Sequence, residues 1–352
     1  MYKLFTHNDL DGIGCACVLK HVVDVLSFKY RLSNTSQVDA SYLPYDKVNS
    51  VIQQFINGKE YENYTLIFIT DISVDEETAK LIDKTIGDKV VLLDHHQHLE
   101  WLDEYPWATV SPFKYKPFEN EASSGTYLLW DYLRYPANSK ISKRFPELAK
   151  NGEFEMFDPA SSLNDFVDLV TDYDTWAWKS KAESSDENEA ARGKLAKNIN
   201  DLFDIYGRYA FIEETLIKLK QGYKLFTLSH LEEKLLQLNQ ESINRYIEQK
   251  EKEIRPLSIC GYNAAVVFAD RNQSELGNTI CANHPEFDLC IMLCMGRDDV
   301  QIRSTKENVD VSILAKEFGG GGHKHASGAT LSYNMFEHNT CDIYEDDEVD
   351  GL

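Results

Sequence analysis

The sequence predicts an α/β protein of two domains joined by a long helix, on three observations. Short apolar, β-rich runs alternate with helix-like stretches from residue 1 to about 179, the pattern of a parallel sheet covered on both faces. An apolar stripe at helical spacing follows: Leu228, Leu231, Leu235 and Leu238, continued by Ile243 and Ile247. It predicts one helix from about Gly222 to Glu253, ended by Arg255-Pro256. A second, smaller alternation of strands and helices then runs from about 257 to 333. A chain of 352 residues suits two domains, each with a core of its own.

In the first domain the strands fall at 2–6, 39–43, 64–70 and 89–93, and the helices between them at 12–26, 47–56 and 75–86. The run Leu66-Ile67-Phe68-Ile69 lacks polar alternation, as a strand buried on both faces should. Further helices start at Ser123-Ser124-Gly125-Thr126, running to about Tyr132, and at about Leu163, running to Thr171. The stretch from Ser180 to Gly193 is polar, without large apolar side chains, and reads as an exposed insertion or linker. In the second domain, strands are expected at 264–268, 287–295 and 300–304, with helices at 274–284 and 311–318. The resulting division is 1–185, a helical linker region 186–255, a second domain 256–335, and an acidic tail 336–352.

The chain carries 36 basic and 58 acidic residues, a formal charge of −22. Tracking along long duplex nucleic acid needs many Lys/Arg–phosphate contacts, which this balance argues against. Small phosphorylated ligands remain open, because divalent cations can invert the charge of an acidic cleft. Seven cysteines without a paired C-x-x-C suggest neither a disulfide framework nor a zinc knuckle, but buried thiols in a reducing cytoplasm. Neither a signal peptide nor an apolar run of membrane-spanning length is evident.

The chemistry collects at strand ends. His7, Asp9 and Asp11 alternate after the first strand, beside Gly12; in an extended chain this spacing puts them on one face. A polar turn with an aspartate capping the next helix would read the same way. However, Asp71 directly follows the third strand, and Asp94-His95-His96 the fourth. In parallel sheets ligands bind beyond these carboxyl ends. Five or more carboxylate and imidazole ligands exceed what one tetrahedral zinc needs, and suit two hard octahedral cations bridged by a carboxylate. Asp172 and Asp174 follow a later helix, and spacing leaves open which of them, if either, joins the site. In the second domain Gly319-Gly320-Gly321-Gly322 precede His323-Lys324-His325. Such glycines let backbone N–H groups approach an anion, His323 adds a donor, and Arg303 is a candidate bidentate phosphate clamp.

These motifs together resemble the DHH–DHHA1 phosphoesterase superfamily of RecJ-type nucleases, oligoribonucleases and cyclic-dinucleotide phosphodiesterases. The matching residues are His7 to Gly12, Thr70-Asp71, Asp94-His95-His96, Asp172 to Asp174, and Gly319 to His323, in family order over nearly the whole chain. The wording around Tyr173 to Trp176 and Ser274 to Asn278 looks most like the NrnB-type oligoribonuclease branch. The resemblance implies a parallel-sheet DHH domain and a smaller DHHA1 domain. It implies one Mn²⁺ on His7, Asp9 and Asp71, and another on Asp11, Asp71, His95 and Asp174, with Mg²⁺ or Co²⁺ as substitutes. It also implies that Asp94 orients a histidine and that His96 faces the scissile phosphate. Arg303, Gly320, Gly321, Gly322 and His323 would grip the substrate, with Asn278 beside them. The His-Lys-His after the glycines departs from relatives with smaller residues there, leaving Lys324 and His325 without a role.

The implied activity is two-metal hydrolysis of short oligoribonucleotides to nucleoside 5′-monophosphates by a monomer or homodimer without membrane partners. Cyclic or linear dinucleotides, or 3′-phosphoadenosine phosphate, are alternative substrates. A non-catalytic nucleotide-binding protein is the remaining reading, and an intact ligand set speaks against it.

Overall fold

The computed structural model describes residues 1–30, 37–114, 121–134, 161–223 and 225–330. The acidic tail expected at 336–352, and Cys341, lie outside the described residues. Contacts divide the chain into two units, Met1–Leu236 and Gln237–Leu352.

In the first unit, each inner strand carries adjacent apolar side chains that point opposite ways, so both faces demand cover. Strand β1 (Tyr2–His7) sends Leu4 to one side and Phe5 to the other. With β2 (Val38–Leu43) beside it come β3 (Leu66–Thr70) and β4 (Val90–Asp94), both buried throughout. Leu66, Phe68, Val91 and Leu93 join one core, and Ile67, Ile69, Val90 and Leu92 the other. A short β5 (Ala108–Val110), not expected from the sequence, completes a parallel sheet in the order β2-β1-β3-β4-β5. Helix α1 (Leu10–Tyr30) covers the Phe68 face, while α2 (Val48–Asn57) and α3 (Glu76–Thr85) cover the Ile67 face with Ile52, Phe55 and Ile82. The chain passes from β1 to β2 and then returns across β1 to β3. The strand order therefore reverses between β1 and β3, which opens a crevice at their carboxyl ends.

Helices α4 (Gly125–Arg134) and α5 (Ser162–Asp174) add a layer on the α1 side. Next come the short α6 (Ala177–Ala182) and the long α7 (Glu187–Lys220), which is broken at Gly207 (φ 69°) and packs on α1 and α5. The stretch expected to be a linker is thus helical on either side of one turn. Its small, polar composition reflects exposure, not lack of structure. Asp186 caps α7 by accepting from the N–H groups of Asn188 and Glu189. At Gly193 a Cβ would lie 2.4 Å from the Ala182 nitrogen, so α6 and α7 touch backbone to backbone there.

The long helix is also shorter than expected. It starts at His230, as α8 (His230–Glu251), because Gly222 turns the chain at φ 69° and a capping box begins at Ser229. The Glu232 carboxylate accepts from the Ser229 N–H (2.6 Å), and the Ser229 hydroxyl accepts from the Glu232 N–H (3.3 Å). Residues 225–228 lace onto the first unit, where Phe226 is buried against Phe166 and its N–H donates to Asp165.

The second unit is a mixed sheet, in the order β10-β11-β9-β8-β7-β6. Its strands are β6 (Arg255–Ile259), β7 (Tyr262–Phe268), β8 (Leu289–Cys294), β9 (Asp299–Arg303), β10 (Gly321–His323) and β11 (Ala326–Thr330). Of these, β6, β10 and β11 were not expected. Within this sheet, among the described residues, only β7 and β8 pair in parallel. Helix α9 (Gln273–Asn283) packs Leu276 and Ile280 on the Val267–Met292 face, and α10 (Val311–Glu317) covers the Ile291–Ile302 face.

Among the described residues all cysteines are free; Cys15, Cys17, Cys290 and Cys294 are buried, whereas Cys260 is exposed in the tight turn between β6 and β7. No helix of the described residues is long and apolar enough to cross a membrane.

Candidate active site

The crevice where the strand order reverses is built by close backbone turns. Strand β1 stops at His7, and the chain folds back into α1 so tightly that a Cβ on Gly12 would lie 2.1 Å from the His7 carbonyl oxygen. His7, Asp9 and Asp11 therefore do not share one extended face, as their spacing suggested. Asp9 sits in the turn and accepts from the Gly12 N–H (3.0 Å), while Asp11 falls in the first turn of α1. Thr70 donates to the Thr6 hydroxyl (3.0 Å), which donates to the Gly12 carbonyl (3.2 Å), pinning the turn to β3. Asp71 follows β3 with φ at 59°, a left-handed conformation that aspartate tolerates better than most residues.

Three groups of ligand-type side chains converge here among the described residues: His7, Asp9 and Asp71; Asp11, His95 and Asp174; and Asp71, His95 and His96. Within each group the donor atoms lie within 4.8 Å of one another. His7 Nδ1 is 2.7 Å from Asp9 Oδ2. His95 Nε2 lies 3.3 Å from Asp71, 3.6 Å from Asp174 and 3.8 Å from Asp11. Asp71 is common to two groups, and its Oδ2 is buried without a hydrogen-bond partner among the described residues.

The electrostatics identify what is needed at this place. Burial, reinforced by the charges of Asp11 and Asp9, pushes the Asp71 carboxyl well above its usual range. Burial and the same neighbours push Asp174 up to about 9. Burial also works to raise Asp9, but the His7 and Gly12 hydrogen bonds outweigh it and hold Asp9 below its ordinary value. Packed carboxylates of this kind repel one another unless cations stand between them. Mixed carboxylate and imidazole donors, with one orphaned carboxylate oxygen at the centre, fit divalent metal ions.

Neighbouring groups hold the candidate ligands in place. The N-terminus of α4 grips Asp11: the Gly125 N–H donates to Oδ2 (2.6 Å) and the Thr126 N–H to Oδ1 (2.9 Å). Asp94 is fully buried and accepts from the N–H groups of His95 (2.7 Å) and His96 (3.1 Å), from His96 Nδ1 (2.7 Å) and from the Ser73 hydroxyl. This hydrogen bond to Asp94 raises the His96 pKa, against the effect of burial.

Asp172 and Asp174 separate because two residues on a helix differ by about 200° in direction. Asp174 approaches His95, whereas Asp172 turns away to Lys181 (2.5 Å) and Arg192 (3.8 Å). Asp174→Asn should therefore lower activity by on the order of 10²-fold or more, while Asp172→Asn should cost about 1 kcal/mol of stability and leave most of the rate. Initial rates and thermal melts of the two variants check this, and equal rate losses would contradict the assignment.

In the second unit, the Arg303 side chain crosses α9 at Gly277, where a Cβ would lie 2.7 Å from Arg303 Cγ. Its guanidinium reaches Gln301 (3.2 Å) and Ser274 (3.4 Å), and Asn278 is exposed on the same helix. The glycines are only partly free to cradle an anion. The Gly319 and Gly320 N–H groups cap α10 by donating to Lys316 and Ala315 carbonyls, so Gly320 has no N–H to spare. Gly320 and Gly322 are also required by the close approach of β11, with Cβ positions 2.1 Å from the Gly328 oxygen and 2.6 Å from Ser327 Cα. Gly321 and the exposed His323 lie on the edge strand β10. Lys324 and His325 have structural partners: Lys324 pairs with Glu307 (2.9 Å), and His325 Nδ1 lies 3.1 Å from the Ser304 carbonyl oxygen.

No family model matches the chain. Oligoribonuclease NrnB of Bacillus subtilis (strain 168) is 32% identical to it, over 99% of this chain and 77% of its own length. The chain belongs to the NrnB family. A solved DHH domain, described as a member of the s1p family of ribosomal proteins, aligns with a TM-score of 0.54 at 16% identity, over 96% of this chain and 84% of that one. RecJ from Thermus thermophilus, in complex with Mn²⁺, aligns with a TM-score of 0.50 at 13% identity, over 96% of this chain and 50% of its own. At these identities the two structures show a shared DHH fold.

Sequence reading of this NrnB-family member missed Tyr45. Its ring packs on His7 (centroids 4.3 Å apart), and its hydroxyl is 3.5 Å from His96 Nε2. Tyr45 follows β2, so the strand-end rule that found Asp71 and Asp94 would have found it too, had it been applied to aromatic residues. Ser73, Gly125 and Thr126 carried no local signal beyond turn and helix-cap chemistry.

Proposed function

We propose that the chain is a divalent-metal-dependent phosphodiesterase that hydrolyses short oligoribonucleotides to nucleoside 5′-monophosphates. The observation that carries this reading is the convergence of the three ligand groups around Asp71 and His95. His7, Asp9 and Asp71 would hold one ion, and Asp11, Asp71, His95 and Asp174 the other, as Mn²⁺ with Mg²⁺ or Co²⁺ in substitution. Two such ions, when bound, would supply Lewis-acid activation of a water and compensation of phosphate charge. Asp94 holds His96 by Nδ1 and raises its pKa, which favours the form whose Nε2 would donate to a phosphate or leaving oxygen. Arg303, Asn278, Gly321, Gly322 and His323 are assigned to substrate phosphate and sugar. The charge of −22 favours short substrates, since the excess of acidic over basic groups repels a long phosphate strand.

A panel of end-labelled RNA dimers to pentamers, pApA, cyclic dinucleotides and 3′-phosphoadenosine phosphate, each with Mn²⁺, tests the reading. Monophosphate release should be fastest from the short RNAs. Faster turnover of a cyclic dinucleotide would replace that substrate, and no product with any divalent ion would overturn the activity.

Metal and pH should act together on stability. In the metal-free fold Asp174 keeps its proton up to about pH 9, while the unfolded chain ionises near 3.8, and Asp71 is shifted in the same direction. As pH rises between these values the unfolded state loses protons first, so the metal-free protein loses stability, levelling off above the folded pKa. Bound cations oppose that loss and bind the deprotonated groups best. The rise in Tm on adding Mn²⁺ should therefore be larger near pH 8 than near pH 5.5; a rise independent of pH would contradict it.

A further inference from the structure

Two residues beyond Asp174, the chain does something unfavourable. Trp176 adopts φ 62°, a left-handed conformation that a bulky side chain rarely takes, and leaves 69% of its surface exposed. Strain of this kind persists where the surroundings impose it, and it concentrates at functional positions. Here the Trp176 N–H donates to the Tyr173 carbonyl (3.1 Å), turning the chain between α5 and α6. The consequence is a ladder of rings. Tyr173 stacks on Trp178 (6.1 Å, 15°), and Trp178 on Trp176 (6.3 Å, 30°). The first two rings are half-buried, and the last ends the ladder in solvent.

We propose that Trp176 is a nucleobase platform: a base next to the scissile phosphate stacks on the exposed indole and extends the ladder by one ring. This rests on the phosphodiesterase reading above. Two residues span at most about 7 Å, so the Trp176 backbone lies within about one nucleotide's length of the Asp174 backbone. Stacking requires a π-face and little else, so the platform accepts any unpaired base and prefers purines. It gives a net-acidic chain a grip on its substrate that does not depend on charge.

The test uses the full-length protein with an ApA dinucleotide and with the same compound lacking one base. Tryptophan emission should be quenched by ApA and much less by the abasic analogue, and Trp176→Phe should lose most of that quench. In initial-rate kinetics with Mn²⁺, Trp176→Ala should raise KM for ApA about tenfold and kcat far less. The KM gap between ApA and the abasic compound should shrink, and Trp176→Phe should restore much of it. Quenching that survives in Trp176→Phe, or equal KM losses on both compounds, would overturn the platform. So would quenching that follows protein concentration without nucleotide, since the indole would then be covered by a second copy. A quench without hydrolysis by the unaltered protein would support the platform while rejecting the phosphodiesterase.

Discussion

Asp71→Asn should abolish hydrolysis while making the metal-free protein more stable. The substitution keeps the side-chain shape and suits φ 59°, because asparagine also tolerates the left-handed region. It removes a carboxylate that burial and the charges of Asp11 and Asp9 make costly to ionise, so thermal melts in chelator should shift upward near neutral pH. The same substitution deletes the one group shared by the His7–Asp9 and His95–His96 clusters. Losing the carboxylate shared by both groups should remove about 4 kcal/mol of transition-state stabilisation, on the order of 10³-fold in rate. Asp71→Ala should be equally inactive, without the gain in stability, since alanine is strained at positive φ. Monophosphate release within tenfold of the unaltered protein in either variant would remove Asp71 from the centre of the site.

Gly125→Ala should be harmful at a position where helix propensity predicts the opposite. Alanine in place of glycine in a helix is ordinarily favourable by about 1 kcal/mol. Here the added Cβ would lie 2.6 Å from Asp71 Cβ, 3.0 Å from Asp71 Cα and 3.1 Å from Asp11 Oδ2. Two of these contacts are to atoms on or next to the backbone, so no side-chain rotation relieves them. Overpacking of this kind costs about 1–3 kcal/mol. The strain falls on two candidate ligands at once, so metal affinity should drop about 10–100-fold. Calorimetric titration with Mn²⁺ and thermal melts with and without metal measure both effects. Unchanged metal affinity would show that α4 does not shape the site.

Much of this site is legible residue by residue. Asp71 and Asp94-His95-His96 stand out because hydrophobic runs mark the strands and parallel sheets bind ligands at their carboxyl ends. The reading failed where identical composition serves different structure. Ser180 to Gly193 is exposed and poor in large apolar side chains, yet it is mostly helix, held by an aspartate cap and a glycine contact. The apolar stripe from Leu228 begins before its helix does, because Phe226 and its neighbours pack on the first unit instead of continuing the turn. The glycines suggested an anion cradle, but two of their N–H groups close α10, and two positions are set by the approach of β11.

By itself, the sequence determined the two α/β units, the strands that end in ligand-type residues, and a candidate ligand set with carboxylate and imidazole in the proportions hard divalent ions favour. Those properties reside in local periodicity and residue type. The tertiary structure decided that Asp174 and not Asp172 faces His95, which spacing left open and only the resemblance implied, that Tyr45 lies between His7 and His96, and that the N-terminus of α4 holds Asp11 across 114 residues of chain. Each of these depends on where helices α4 and α5 and the end of β2 dock on the sheet. Docking follows from burying whole apolar faces, Phe68 and Leu93 against α1, α4 and α5, and no pattern within a few residues of the site records it.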